Sequence, residues 1–413
     1  MVDFGRIFGI LKIILKRIAV RESFYHFIRI LRLEVIRAER DYFLQENPRS
    51  IEKEPRIKNP TSIKGGLKVL ILNGFPEDSA LYRYRIKQKI EQLSSVGVKV
   101  DTIHFDAPNL VLAATQYSHI IWYRIPITDR LIQLEEKARL DGIRLVYDID
   151  DLIFDLEICK EVDGIQILND LDKEAYLRNM ARIADAIKLC DYGLATTTPL
   201  KAKFEEMGLK THIHRNAYET EMYELSERAI RGKIEKSDVI ISYQSGSNTH
   251  NRDFQVCVEA LVRALEQYEN VKLFIFGWLT LDDRLKPFEN RIVHIPFMPW
   301  KELAVFSKDV DINLSPLENN CFCNSKSELK YLEAAILEIP TIASPRTAFS
   351  EAIRHGENGL LAETTEEWGQ CLDLLINDGQ MRKAVGRRAR EHVLQEYDIK
   401  KMGQGLADFF RSI

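Results

Sequence analysis

The stretch NSKSELKYLEAAILEIPTIASP, Asn324 to Pro345, decides the fold. Leu329, Leu332 and Ile336 fall on one helical face, and PTIASP is a short apolar run bounded by prolines. A helix that feeds straight into a buried strand is the repeating unit of a parallel sheet. Ser325 and Glu328 have capping-box spacing, so the helix is predicted to start at Ser325. Lys326, Lys330 and Glu333 then follow the i, i+4, i+7 rule along a neighbouring face. Two cations beside the unpaired N–H groups of a helix start suit a diphosphate. Glu333, one turn further in, only accepts hydrogen bonds and has room for two hydroxyls, as from a ribose diol. The plainer alternative at this point is a solvated face with an ordinary Lys330–Glu333 pair.

Working outward, the strand and helix patterns alternate twice. LKVLILN (67–73), VKVDTIHF (98–105), SHIIWYRI (118–125), IRLVYDID (143–150), YGLATTT (192–198) and KTHIHRN (210–216) read as strands of a first sheet. DVIISYQS (238–245), VKLFIFGW (271–278), RIVHIPF (291–297), VDINLSPL (310–317) and PTIASP (340–345) read as those of a second. The expectation is an α/β protein of two Rossmann-like, doubly wound domains facing a cleft, at 67–217 and 238–395. A hinge is expected at 218–237, where ERAIRGKIEKSD breaks the pattern, and residues 396–413 are predicted to form a helix crossing back to the first domain. Ligands of such sheets lie beyond the carboxyl ends of the strands, so the cleft is the expected site.

Ahead of the first sheet, residues 46–66 are rich in Pro, Lys and Glu and read as a linker. Residues 1–45 read as a helical segment. Within 1–21, Phe4, Ile7, Phe8, Leu11, Ile14, Leu15 and Ile18 form a stripe opposite Arg6, Lys12, Lys16 and Arg17. Lysines interrupt each apolar run well short of the ~18 residues that span a bilayer. A helix lying on an anionic membrane surface fits this pattern, as does a stripe packed on protein. The expected location is therefore cytoplasmic and peripheral, at the inner face of the cell membrane.

A net charge of −4 argues against a protein that coats nucleic acid. The six cysteines sit mostly in apolar patterns, and Cys321-Phe-Cys323 lacks the paired C-x-x-C elements of a zinc site. In the first domain, YDIDDLIF ends a strand with Asp150 and Asp151, which suit orienting an acceptor hydroxyl or taking its proton. The alternatives for this pair are a helix cap or a hard-cation site. Arg83 and Arg85 in YRYRI, and Arg124 in WYRIP, suit a phosphate, either the donor's or that of a lipid-linked acceptor, and are assigned to acceptor binding, with structural ion pairs as the alternative. His250 and Arg252 precede the helical run DFQVCVEALVRALEQ, where Arg252 either clamps a phosphate or caps a helix.

The sequence NSKSELKYLEAAILEIPTIASPRTAFSEAIRHGENGLLA resembles the retaining glycosyltransferases of family four, which have the GT-B fold. It is similar to their Leu-Glu-Ala-Ala helix, their Gly-x-Pro-x-Ile-Ala-Ser strand and their Gly-x-Asn-Gly-Leu-Leu turn. SYQSGSNTHNRDF resembles a glycine loop of a bacterial polysaccharide branch, YRYRI and YDIDDLIF resemble the corresponding parts of the N-terminal domain, and the likeness covers roughly residues 67–410.

The resemblance implies that Glu333 binds the donor ribose and that Ser245-Gly246-Ser247 lies under the diphosphate. It also implies that the loop of Phe297, Met298 and Trp300 cups the base. Ser325 stands where the family has its first glutamate, so that residue's contact with the transferred sugar is either lost or passes to Asn324 and Lys326, and Ser327 beside them is a further expected donor-binding residue. Lys326, Lys330 and Arg252 stand in for the usual arginine and lysine of the diphosphate site. Asp150, Asp151 and Lys330 are the expected catalytic groups.

No metal or other cofactor is implied, since lysines and helix ends take the cation's place in that fold. The expected function is retaining sugar transfer from a nucleotide-diphosphate sugar to a saccharide or lipid-linked saccharide in cell-surface polysaccharide synthesis. A nucleotide-sugar epimerase of the same fold and a non-catalytic GT-B binding module are the alternatives.

Overall fold

A computed structural model describes residues 66–413 except 161, 167, 234–235 and 247–250. The expectations for residues 1–65, and for Ser247 and His250, lie outside the described residues.

Two parallel six-stranded sheets organise the chain. The first holds β1 (Lys68–Asn73), β2 (Lys99–His104), β3 (His119–Tyr123), β4 (Arg144–Ile149), β5 (Tyr192–Ala195) and β6 (Lys210–Ile213), in the order β2-β1-β3-β4-β5-β6. The second holds β7 (Val239–Ser245), β8 (Val271–Gly277), β9 (Ile292–Ile295), β10 (Ile312–Ser315), β11 (Thr341–Ala343) and β12 (Leu360–Leu361), in the order β12-β11-β10-β7-β8-β9. Every ladder is parallel. Helices therefore cover both faces of each sheet, and central strands such as Val69–Leu72 and Ile120–Tyr123 are buried throughout.

Each sheet has a point where the strand order reverses. In the first the chain moves from β1 to β2 and then returns to place β3 on the other side of β1. In the second it runs β7, β8, β9 and then returns to lay β10 beside β7. Crevices open at the carboxyl ends of such strand pairs. The loops and helices after β1, β3, β7 and β10 carry the residues discussed below.

Two elements differ from the expectation. The charged segment read as a hinge contains a helix, Thr220–Arg231, which packs on the helix Trp300–Ser307 and buries Met222, Ser226 and Ala229. Met222, Leu225, Ala229 and Ile230 recur at helical spacing, a signal that the surrounding Glu and Arg mask. The helix predicted from Ser325 instead splits in two, Cys321–Asn324 and Leu329–Ala335. Asn320 caps the first by accepting from the Cys323 amide at 2.8 Å, and no side chain caps the second. The capping box fails because both its members are engaged elsewhere. The Ser325 hydroxyl donates to the Cys321 carbonyl at 2.9 Å, and the Glu328 carboxylate accepts from Arg215 at 3.1 Å and Tyr397 at 2.6 Å.

At the chain's end, the helix Ile399–Arg411 packs on Gln88–Ser95 of the first lobe. Leu406, Ala407 and Phe410 are fully buried there. A Cβ at Gly403 would lie 2.0 Å from the Gln92 carbonyl, so only glycine permits this approach.

Candidate functional site

The site is built where the two lobes meet. Lys330 and Glu333 lie on the short helix after β10, at the crevice between β7 and β10. The Lys330 ammonium is buried, has no hydrogen-bond partner and sits 4.6 Å from the Tyr243 ring centroid. Burial lowers its pKa from 10.5 to about 8; Lys326 adds to the shift, and Asp253 only partly offsets it. A buried, unpaired ammonium is costly, and an anion is what satisfies it.

Lys326 precedes the helix and pairs with Asp253 at 3.0 Å. Burial opposes its charge, but Asp253 raises its pKa overall. Asp253 is itself buried and also accepts from Cys323 Sγ at 3.2 Å and the Glu318 amide at 3.1 Å. Ligand atoms of Asp253, Glu318 and Cys323 lie within 4.8 Å of one another, and the Lys326 ammonium is the cation this cluster already holds.

Glu333 faces the first lobe. Its Oε1 accepts from the Tyr84 hydroxyl. Burial raises its pKa, against the pull of Tyr84, Arg83 and Lys330. Glu333 and Arg83 also line a small cavity of about 30 Å³ with Gln244, Trp300, Leu303 and Ile336.

The other expected donor residues are more dispersed. Asn324 Oδ1 accepts from the amide and hydroxyl of Thr347, each at 2.9 Å, and Ser327 Oγ accepts from Asn216 of the first lobe at 3.1 Å. Arg252 is exposed in the first turn of the helix Asn251–Gln267. Gly246 is exposed just beyond β7, and a Cβ there would meet nothing within 4 Å. The demand for glycine falls one strand over: Gly277 has φ 92°, and a Cβ there would lie 2.0 Å from the Ser245 carbonyl. Phe297 is 48% exposed beyond β9.

In the first lobe, Asp150 and Asp151 follow β4 and are bridged by one guanidinium: Arg124 Nη1 donates to Asp150 at 3.3 Å and to Asp151 at 3.2 Å. Arg124 has φ 50°, a left-handed conformation that side chains with a Cβ seldom adopt. Tyr123 adds a bond to Asp150 at 3.2 Å. Burial and then the Asp151 charge raise the Asp150 pKa. Asp151 is the more open of the two, with 37% of its side chain exposed, and its charge reaches Lys326 across the cleft. Arg124 thus holds the carboxylates rather than standing open to an acceptor phosphate.

Arg85 corrects its expectation outright. It is fully buried, pairs with Asp148 at 2.5 Å, and donates to the His214 carbonyl at 2.9 Å and to Asn216 at 3.1 Å. Lys89 reaches the other Asp148 oxygen at 2.6 Å, completing a buried triad with no opening to a ligand. Arg83 faces the second lobe instead: its guanidinium lies 3.5 Å from the Trp300 ring centroid, and its Nε donates to Glu219 at 2.6 Å. Tyr84, Glu219 and Asp253 escaped the sequence reading. An aromatic flanked by arginines reads as core, and nothing in a charged linker marks one acid for burial.

Residues 240–378 match the family model described as Glycosyl transferases group 1. That segment holds β7, apart from Val239, through β12 and every expected donor residue. The whole described chain has the GT-B fold. It is similar to Anabaena Alr3699/HepE, solved in complex with UDP and glucose, with a TM-score of 0.57 and 14% identity over 84% of this chain and 100% of that one. Sucrose-phosphate synthase from Thermosynechococcus elongatus superposes with a TM-score of 0.56 and 13% identity over 84% of this chain and 99% of that one. WaaG, a glycosyltransferase involved in lipopolysaccharide biosynthesis, gives 0.53 and 14% over 83% and 99%. No curated protein matches the sequence. Among the described residues, no helix is long and apolar enough to cross a membrane.

Proposed function

We propose that the protein is a retaining, metal-independent glycosyltransferase that moves a sugar from a nucleoside-diphosphate sugar to a saccharide or lipid-linked saccharide in surface polysaccharide synthesis. The observation that carries this reading is the buried Lys330 ammonium, without a hydrogen-bond partner and one helical turn from the Glu333 carboxylate. A cation followed by an acceptor-only group is the order of diphosphate and ribose. The group 1 family match and the UDP complexes of the Anabaena protein support the donor class.

Breaking the sugar–phosphate bond puts positive charge on the sugar and negative charge on the leaving diphosphate. Lys330, with Lys326 behind it, stabilises the leaving group in a site of low dielectric, where a fixed charge acts most strongly. Arg252 and the backbone at Gly246 contribute at the phosphate end, Asn324 and Ser327 at the sugar, and Phe297 at the base. Asp151, held by Arg124, orients the acceptor hydroxyl and receives its proton, while Asp150 buttresses the pair. Attack from the face the diphosphate leaves gives retention. Residues 1–21 hold the enzyme at an anionic membrane surface, where a lipid-linked acceptor resides.

Titration with UDP, GDP and dTDP under thermal melting tests the donor site. A matching nucleotide at 100 times its Kd adds about 2.7 kcal/mol of stability. Stabilisation by none of the three would remove the assignment.

A further inference from the structure

The residue on which the nucleoside reading rests, Glu333, is gripped from the other lobe. The helix after β1 runs Ala80–Tyr82 and Gln88–Ser95 with one wide π turn between them, Arg83–Lys87. Such widened turns recur where a helix presents side chains to a site. This one buries Arg83 and Tyr84 side by side at the lobe boundary.

From there a relay of hydrogen bonds runs across the boundary. Arg83 Nε donates to Glu219 at 2.6 Å, and its Nη1 donates to the Tyr84 phenolic oxygen at 3.0 Å. The Tyr84 hydroxyl then donates to Glu333 Oε1. Arg83 itself is braced face-on against Trp300 of the second lobe, and Glu219 is fixed by Gln88 at 2.8 Å. A phenol that accepts from a guanidinium is polarised into a stronger donor. Glu333 uses one oxygen for this bond and retains acceptor capacity on the other.

We propose that Tyr84 is a positioning residue for donor binding: from the first lobe, and braced by Arg83, it fixes the Glu333 carboxylate so that its second oxygen meets the ribose diol. The nucleoside site is then complete only when both lobes are in contact, although every other donor group lies in the second lobe. The inference rests on Glu333 being the ribose ligand.

The charged and titratable groups facing Glu333 are Arg83 and Tyr84 from the first lobe, Lys330 on its own helix and Glu219 ahead of the helix Thr220–Arg231. Burial and Glu219 push its pKa up, and the other three pull it down. Protonation turns one oxygen into a donor and spoils diol binding. Nucleotide affinity is therefore lost as pH falls, and earlier in the fall once Tyr84 stops helping.

The test is UDP titration calorimetry on the full chain, wild type, Tyr84→Phe and Glu333→Gln, from about pH 5.5 to about pH 8. Tyr84→Phe is expected to bind about tenfold more weakly at the acid end, with the gap narrowing as pH rises. Arg83→Lys is expected to shift the profile the same way by less, and Glu333→Gln to bind weakly with no acid limb. A variant that merely loosened the fold would weaken binding equally at every pH.

Tyr84→Phe with the wild-type affinity and profile overturns the proposal, as does tighter binding throughout, which would make Tyr84 a competitor of the ribose. If wild type binds and Glu333→Gln is weak while Tyr84→Phe is unchanged, only the role of Tyr84 falls. If wild type binds no UDP, GDP or dTDP, the donor-site reading falls and this one with it.

Discussion

Replacing Lys330 by methionine separates what this residue does for the fold from what it does for a ligand. In the free protein its ammonium is buried without a hydrogen-bond partner, and its pKa is about 8 rather than 10.5. At 1.36 kcal/mol per pH unit, keeping that charge in the folded state costs about 3 kcal/mol. The sign follows from the direction of the shift. The unfolded chain binds the proton more tightly, so the cost is fully present below about pH 8 and vanishes as pH rises through the unfolded value.

Lys330→Met fills the same space without the charge and gives up a contact with the Tyr243 ring worth about 1 kcal/mol. The variant is therefore expected to be about 2 kcal/mol more stable than wild type at neutral pH and to melt several degrees higher. The same change removes the anion's partner, so UDP should raise the melting temperature of wild type and leave the variant unmoved. The assay is thermal melting of both proteins with and without UDP, repeated near pH 7 and pH 10, where the stability advantage should shrink. A variant less stable than wild type that still responds to UDP would rule out Lys330 as both a buried cost and an anion's partner.

Three further outcomes follow from other parts of the structure. Glu338 holds φ 57°, the position of the glycine in the Gly-x-Pro signature, so Glu338→Gly should raise stability by about 1 kcal/mol in denaturant melts; a loss would mean that the side chain has a role the backbone angle hides. Arg85→Met leaves buried Asp148 with Lys89 alone and should cost about 3 kcal/mol, and a neutral result would contradict its place in a structural triad. Asp151→Asn should slow sugar transfer by about 100-fold or more while leaving UDP affinity unchanged, and wild-type turnover would clear Asp151 of the acceptor role.

The architecture was legible because buried parallel strands write themselves as short apolar runs. The predicted strands at 238–245, 271–278 and 310–317 bracket β7, β8 and β10 closely. β12 was missed, since two residues at the start of a loop carry no period. Around the site, legibility stopped at residues whose partners come from far along the chain. Ser325 and Glu328 have the spacing of a cap, yet Glu328 is bound by Arg215, 113 positions away. Arg85 and Arg83 look alike in YRYRI. A wide helical turn sends one into a triad with Asp148 and the other onto Trp300, and local sequence does not encode which. Lys326, Lys330 and Glu333 have the spacing of one helical face. The helix starts only after the first of them, and Asp253 from another helix decides that Lys326 is paired while Lys330 stays open.

A crystal structure with UDP bound decides whether one short helix seats a nucleoside diphosphate between the lobes. Both ribose hydroxyls are expected on the Glu333 carboxylate, with a phosphate oxygen within ion-pair distance of Lys330. UDP bound elsewhere, with the Lys330 ammonium still unpaired, would contradict that seating.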